Sequence, residues 1–457
     1  MTRKDNDYPK SIFCVPITLL RACGFIPLRS TDRNPKRHAL DIFLRAVAAC
    51  ICLCSWFFLV TAADSSLAEF SRANKSLFPT NNPVIRAMLI ATACVFSCRA
   101  AFVLTTVSIK RGAWMELFHR LNHAIKLYLE MYNTPKRKIL RLKFATLGIV
   151  VTFIVLLCIW LYLHVMGAKT SLGKQHNLHD FQIVGSLGIK VYYWQLSLLW
   201  LSCGVLPFIL TQLIFSVITV AALVQDTMLH KINSEIENNV ERVRKISESE
   251  DAVTINGSIF KEIDENVSRA RRLYNANLQF CHYFNKHFCT VLLFIYFADC
   301  FCMCGNVGLL VASFSHSEAQ LGTTVMRWST VYGVFMFMTG IVVCFVPMAY
   351  VYEQAKNIAN NYENLVGLME IVEQEHAECC RSEIVAQPSS IQPVFLREMF
   401  YGVGHLFHIS GKFIVTTITF VISFVVLAFE IIDLSELKDR VAEVKTLLLN
   451  GTHECNR

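Results

Sequence analysis

A chain of 457 residues of which 54% are apolar, 12% aromatic and only 17% charged falls short of the roughly 25% charge typical of soluble domains. Several uncharged runs of about 18 or more residues exclude an ordinary soluble protein and point to an all-α membrane protein. The net charge of +8 does not call for nucleic acid, because the basic residues gather in loops beside the apolar runs. There they act as topology signals and as contacts for acidic lipid headgroups.

Residues 1–41 hold 8 Lys or Arg, with a short amphipathic stretch at Ile12 to Cys23. Ser11 to Leu20 is too short, and too interrupted by Pro16, for a cleavable signal peptide. Seven spans are predicted, at 42–63, 84–109, 144–166, 191–223, 288–313, 328–352 and 413–432. The fourth exceeds what a bilayer needs and contains Pro207, so it should tilt, kink or run on as helix beyond the bilayer.

Segments 1–41, 110–143, 225–287 and 353–412 together hold 30 basic residues, against 10 in the alternate segments. That bias sets the amino terminus inside and, with seven spans, the carboxyl terminus outside. Sequons at Asn74 and Asn450 fall on the outer side and are candidate glycosylation sites; those at Asn256 and Asn266 would lie inside. Leu229, Ile232, Ile236 and Val240 repeat at helical spacing, as do Ile358, Tyr362, Leu365, Leu368 and Val372. The fourth, fifth and sixth helices should therefore extend into the cytoplasm and bury these faces in an anchor bundle. Gly257 and Ser258 mark a break, and Pro388, Ser389, Ser390 and Pro393 a loop. The expected organisation is a cytoplasmic segment at 1–41 and a six-helix sensing bundle at 42–352. Anchor helices at 353–412, a pore helix at 413–433 and an extracellular tail at 434–457 follow.

The seventh span carries an ordered stripe. Thr416, Thr419, Ser423 and Glu430 are separated by 3, 4 and 7 residues, which places them on one side of a helix. His408, Lys412 and Asp433 continue that side, while Ile418, Val421, Val425 and Ala428 lie opposite. A lipid-bound helix gathers hydroxyls and an acid on one line when that line meets water or protein. The reading is an ion pore built from several copies of the chain.

Arg99 and Asp299 sit near the middle of the second and fifth spans, and each alone costs several kcal/mol in lipid. Opposite signs at similar depth suggest a pair, serving either a ligand or gating network or a purely structural one. Trp160, Tyr162, Tyr192, Tyr193, Trp194 and Trp328 fall near outer ends of spans, as an interfacial belt or as walls of an outward-open pocket for an apolar or sugar-like ligand. The pocket candidates are Arg99, Trp160, Trp194, Asp299 and Trp328. Cys50-Cys52-Cys54 and Cys300-Cys302-Cys304 suit packing better than tetrahedral zinc, since alternate positions leave different helix faces. Cys379-Cys380 is a palmitoylation candidate. No metal, cofactor, phosphate loop or catalytic motif is expected, nor an enzyme.

Thr416-Thr417-Ile418-Thr419-Phe420-Val421-Ile422-Ser423-Phe424 resembles the T-Y, five hydrophobics, Q-F signature of the invertebrate gustatory receptors, with Thr417 in place of Tyr and Ser423 in place of Gln. Leu20-Arg21-Ala22-Cys23-Gly24-Phe25-Ile26-Pro27-Leu28 looks like that family's Leu-Gly-Pro lead-in to the first span. The resemblance implies a homotetrameric ligand-gated cation channel of the plasma membrane, with a hetero-oligomer containing another family subunit as the alternative assembly. The ligand cavity would lie among the second to sixth helices. It also implies that Thr417, Phe420, Ser423 and Phe424 surround the gate, with Phe424 inward when closed and Ser423 inward when open. Glu430 and Asp433 would make an acidic outer ring, whereas Lys412 opposes cations at the inner end. Similarity to divergent nematode members adds light or hydrogen peroxide as stimuli beside a soluble chemical. The rival reading is a G-protein-coupled receptor, which needs the opposite orientation. A transporter lacks the expected repeats.

Overall fold

The computed structural model describes residues 12–27, 35–71, 83–132, 136–172, 182–184, 190–192, 200–248, 257–315, 324–379, 399–404, 406–427 and 430. Among these, nine helices carry the fold. They are α1 (Cys14–Ala22), α2 (Pro35–Ser71), α3 (Pro83–Ile109), α4 (Arg111–Tyr132), α5 (Lys136–Leu172), α6 (Leu206–Ser247), α7 (Gly257–Ser315), α8 (Thr324–Cys379) and α9 (Gly411–Leu427). Two small antiparallel hairpins accompany them: β1 (Gln182–Val184) with β2 (Lys190–Tyr192), and β3 (Gly402–Val403) with β4 (Phe407–His408).

Four described helical stretches, in α2, α6, α7 and α8, are long and apolar enough to cross a bilayer, and shorter apolar stretches occur in α3, α5 and α9. Leu53, Phe57 and Val60 on α2, Val151 and Val155 on α5, and Phe297 and Phe301 on α7 are all exposed. Large apolar side chains in such contiguous display face lipid. Over the described residues every predicted span falls on a helix, except that the fourth includes strand residues at 191–192. Residues 190–192 are extended and pair with 182–184, because Lys-Val-Tyr alternates and can satisfy its backbone across a hairpin. A wide π turn, Trp200–Val205, leads into α6. Pro207 then lies in the first turn of α6, where a missing N–H costs least, so the helix runs on unbroken to Ser247.

α6 is the axis of the molecule. Nearly every residue from Pro207 to Val224 is buried, and α8 packs on it most extensively, while α3 lies along α7. Beyond the apolar stretches, α6, α7 and α8 continue and pack on one another as the apolar periodicity requires. Leu229, Ile232, Ile236, Ile358 and Leu365 are at most 1% exposed, each burial contributing about 1.5–3 kcal/mol. Glu241, Arg242 and Lys245 on the outside of this bundle are more than half exposed, so this end stands in water. α4, in a basic segment whose composition reads as a loop, joins it through buried Trp114, Leu117, Leu121 and Ile125. The Tyr132 hydroxyl on α4 meets the Glu235 carboxylate on α6. Burial and that neighbouring acid both push the phenol well above its ordinary pKa.

α1 packs against α6, and Phe13 before it meets Phe118 of α4; the helix and its flanks bury Ile12, Phe13, Ile17, Leu20, Phe25 and Ile26. Gly24 has φ +80°, and a Cβ there would lie 1.8 Å from the Leu44 carbonyl oxygen. Glycine at this point both closes α1, with Gly24 N–H donating to Arg21 O and Phe25 N–H to Leu20 O, and lets the turn rest on the α2 backbone.

Candidate functional site

Arg99 on α3 reaches Asp299 on α7 at 3.1 Å, with both side chains 1% exposed. The predicted pair therefore forms. Its approach is a charge contact without hydrogen-bond alignment: among the described residues, neither the guanidinium nitrogens nor the carboxylate oxygens complete a hydrogen bond of good geometry. Buried charges repay their desolvation only when such bonds are made, so this pair has donors and acceptors left to offer.

Aromatic side chains from four helices run outward from the pair. The Arg99 guanidinium lies 4.6 Å over the Phe208 ring of α6, a favourable cation–π placement. Phe208 stacks on Phe96 of α3 at 4.3 Å and meets Phe337 of α8 edge-on. Phe96 in turn lies 5.8 Å from Trp160 of α5. Small residues allow the helices this approach. A Cβ on Gly333 would come within 2.6 Å of Asn306 Oδ1 and 3.1 Å of Trp160 Nε1. One on Gly305 would fall 1.9 Å from Thr92 Oγ1. Five helices thus converge on one buried polar and aromatic centre.

The structure brings Arg99, Asp299 and Trp160 into this centre. Trp328 is 54% exposed and stands outside it. Trp194, Asn74, Asn450, Asp433, Ala428 and the loop prolines lie outside the described residues. Phe96, Phe208 and Asn306 were not anticipated. Asn306 had a signal, as a polar residue within an apolar span; the two phenylalanines are indistinguishable in sequence from other apolar neighbours. Cys300, Cys302 and Cys304 are all buried, whereas Cys50 and Cys54 are exposed and Cys52 between them is buried. The Cys302 thiol points to the Thr92 carbonyl at 3.9 Å, a packing contact between α7 and α3.

α9 divides cleanly by face. Thr417 and Val421 are buried, Phe413 packs on Tyr296 at 4.9 Å, and Phe424 is half-buried against the same core. The predicted stripe is on the other side: Lys412, Thr416, Thr419, Ser423 and Glu430 are all exposed. Val415, Ile422 and Val426 on one flank, and Phe420 and Leu427 on the other, are exposed too. The helix therefore presents an arc with a polar centre and apolar edges.

The strand pair ahead of α9 is bolted to the long helices. Asn285 of α7 donates from Nδ2 to Phe400 O at 2.8 Å and accepts the Gly402 N–H at 2.8 Å. Gly404, at φ +61°, donates to Cys289 O at 2.9 Å. The Tyr401 hydroxyl donates to Gln225 Oε1 on α6. Burial holds the Tyr401 phenol well above its ordinary pKa, so it remains a donor.

A sequence profile described as 7tm Chemosensory receptor matches residues 16–376. The chain belongs to the 7tm chemosensory receptor family. This receptor also shares its fold with the solved insect olfactory receptor OR5 from Machilis hrabei. One structure of that protein superposes with a TM-score of 0.58 at 11% identity, over 93% of this chain and 100% of that one. Another, in complex with eugenol, gives 0.56 at 9% identity with the same coverage. At such identities the likeness is one of fold. No curated protein sequence matches the receptor.

Proposed function

We propose that the receptor is a ligand-gated cation channel, not an enzyme, in which the last helices of four subunits surround a shared pore. The observation that carries this reading is the exposed arc of α9. Its polar centre needs water, its apolar edges need neighbouring subunits or lipid, and a ring of four copies supplies both. Exposed hydroxyls at Thr416, Thr419 and Ser423 would wet the path, and a ring of Glu430 carboxylates would favour cations. Phe420, exposed at the edge of the arc, would close it by dewetting, whereas Phe424 packs on the core of its own subunit. Seven spans with an inside amino terminus and an outside carboxyl terminus accompany this reading, as does a place in the plasma membrane, with Asn74 and Asn450 glycosylated.

The Arg99–Asp299 centre is the proposed ligand site. Unfulfilled donors and acceptors among aromatic rings suit a small organic molecule with one or two polar groups, and the eugenol complex of the Machilis hrabei receptor supports that class. A soluble chemical stands ahead of light or peroxide as the stimulus.

Expression in a non-sensory cell tests the proposal. Currents are recorded under sugars, bitter compounds, small phenols, peroxide and short-wavelength light. A cation current to one of these is expected. Surface-delivered receptor that conducts under none of them and purifies as a monomer would overturn it.

A further inference from the structure

The bridge between α6 and α7 at Tyr401 lies on the same two helices that frame the buried charge centre. Phe208 and Gln225 are both on α6, and Asp299 and Asn285 are both on α7. Each pair is separated by about 20–26 Å of helix at 1.5 Å per residue. The backbone of residues 400–404 rides on α7, through Asn285 and Cys289. The Tyr401 side chain instead reaches α6, donating its hydroxyl to Gln225 Oε1. Gln225 is also tied across to α7, its amide donating to the Asn277 carbonyl of that helix at 3.3 Å. The strut itself is buried, with Tyr401, Gln225 and Asn277 at 0% exposure.

We propose that the Tyr401–Gln225 bond is a strut that reads the position of α6 relative to α7 and delivers it to the start of the last helix. The delivery path is short. The Tyr401 carbonyl accepts the Ile409 N–H at 2.9 Å, and Ile409 is buried. Ser410 then begins α9, its carbonyl accepting the Ile414 N–H at 3.2 Å and its hydroxyl the Phe413 N–H at 3.3 Å. A shift of α6 against α7 strains the Gln225–Asn277 bond and cannot leave Tyr401 bonded to both helices, so it must either break the strut or move the foot of α9. A stiff buried element with two attachments is the kind of part through which coupling travels. The strut rests on the pore reading only for its consequence in current.

The test uses the full receptor, as wild type, Tyr401→Phe, Gln225→Met and the double variant. Tyr401→Phe keeps the ring on Phe284, which it meets edge-on at 5.0 Å, so folding is retained. Hydrogen exchange of the unliganded receptor in lipid is measured at Gly402, Gly404, Ile409 and Ile414. Losing the strut should speed exchange about three- to tenfold at all four, the equivalent of one net hydrogen bond. The double variant should match either single one, and basal current should change by a similar factor. Wild-type exchange in Tyr401→Phe, additive effects in the double variant, or a change confined to the strand pair that spares Ile414 would each overturn the strut. Altered exchange with unaltered basal current in a conducting receptor would overturn it as well. A wild-type receptor that reaches the surface and conducts nothing removes the pore reading instead, and the Ile414 exchange still decides the strut.

Discussion

The Tyr296 hydroxyl of α7 and the Thr417 hydroxyl of α9 lie 2.9 Å apart. Thr417 spends its own hydrogen on the Phe413 carbonyl at 2.8 Å, so Tyr296 is the donor. This bond, with the Tyr296–Phe413 ring contact, fixes which face of α9 turns inward. Tyr296→Phe should destabilise that orientation by about 0.5–1.5 kcal/mol, a change of up to about tenfold in the balance between orientations. Thr417→Val should do the same, and the double variant should add little. Dose–response curves of the three variants check this; additive shifts would show that the two hydroxyls act apart.

The Arg99–Asp299 pair gives a prediction about assembly. Reversing either charge leaves two like charges buried together, a cost of about 3–5 kcal/mol or more, so Arg99→Asp or Asp299→Arg alone should abolish surface delivery. The swapped double variant should recover part of it. Surface biotinylation measures the outcome. Recovery no better than either single variant would mean that each residue depends on its other neighbours, Phe208 among them, more than on its partner.

Gly24 is legible in advance only as part of a motif, and the structure supplies the physical reason. Gly24→Ala would place a methyl 1.8 Å from the Leu44 carbonyl oxygen at φ +80°, which requires α1 to lift from α2. Folded yield and melting temperature in detergent should fall sharply. The neighbouring Cys23→Ala, at a half-buried position, should be nearly neutral. Equal behaviour of the two variants would refute a backbone role for Gly24.

Periodicity carried most of this far. The stripe on α9, the buried faces of α6 and α8 and the opposed intramembrane charges all follow from repeat spacing and solvent cost, and each appears where expected. What periodicity could not supply was partnership over long separations. Gln225 and Tyr401, or Arg99 and Phe208, meet because three-dimensional packing brings distant segments together. α4 was missed because its mixed polarity suits a half-wet helix, which composition does not separate from a charged loop. The strand at 190–192 was hidden because Lys190-Val191-Tyr192 joins an apolar run that reads equally well as helix or strand.

The sequons separate receptor orientations. With the amino terminus inside, enzymatic deglycosylation should shift the mass of the wild type, and Asn450→Gln should lose part of that shift. Asn256→Gln and Asn266→Gln should leave it unchanged. A shift lost through Asn256 or Asn266 would reverse the topology and restore the G-protein-coupled reading.

The central claim, that the hydroxyl-and-acid edge of α9 meets water between subunits, is tested most directly by thiol labelling. Thr419→Cys, Ser423→Cys and Val421→Cys receptors in membranes are treated with a charged, water-soluble thiol reagent, and labelling above the wild-type background is read. The account predicts labelling at 419 and 423, with block of any current, and little at 421, which is only 7% exposed. Silence at 419 and 423 beside labelling at 421 would contradict it.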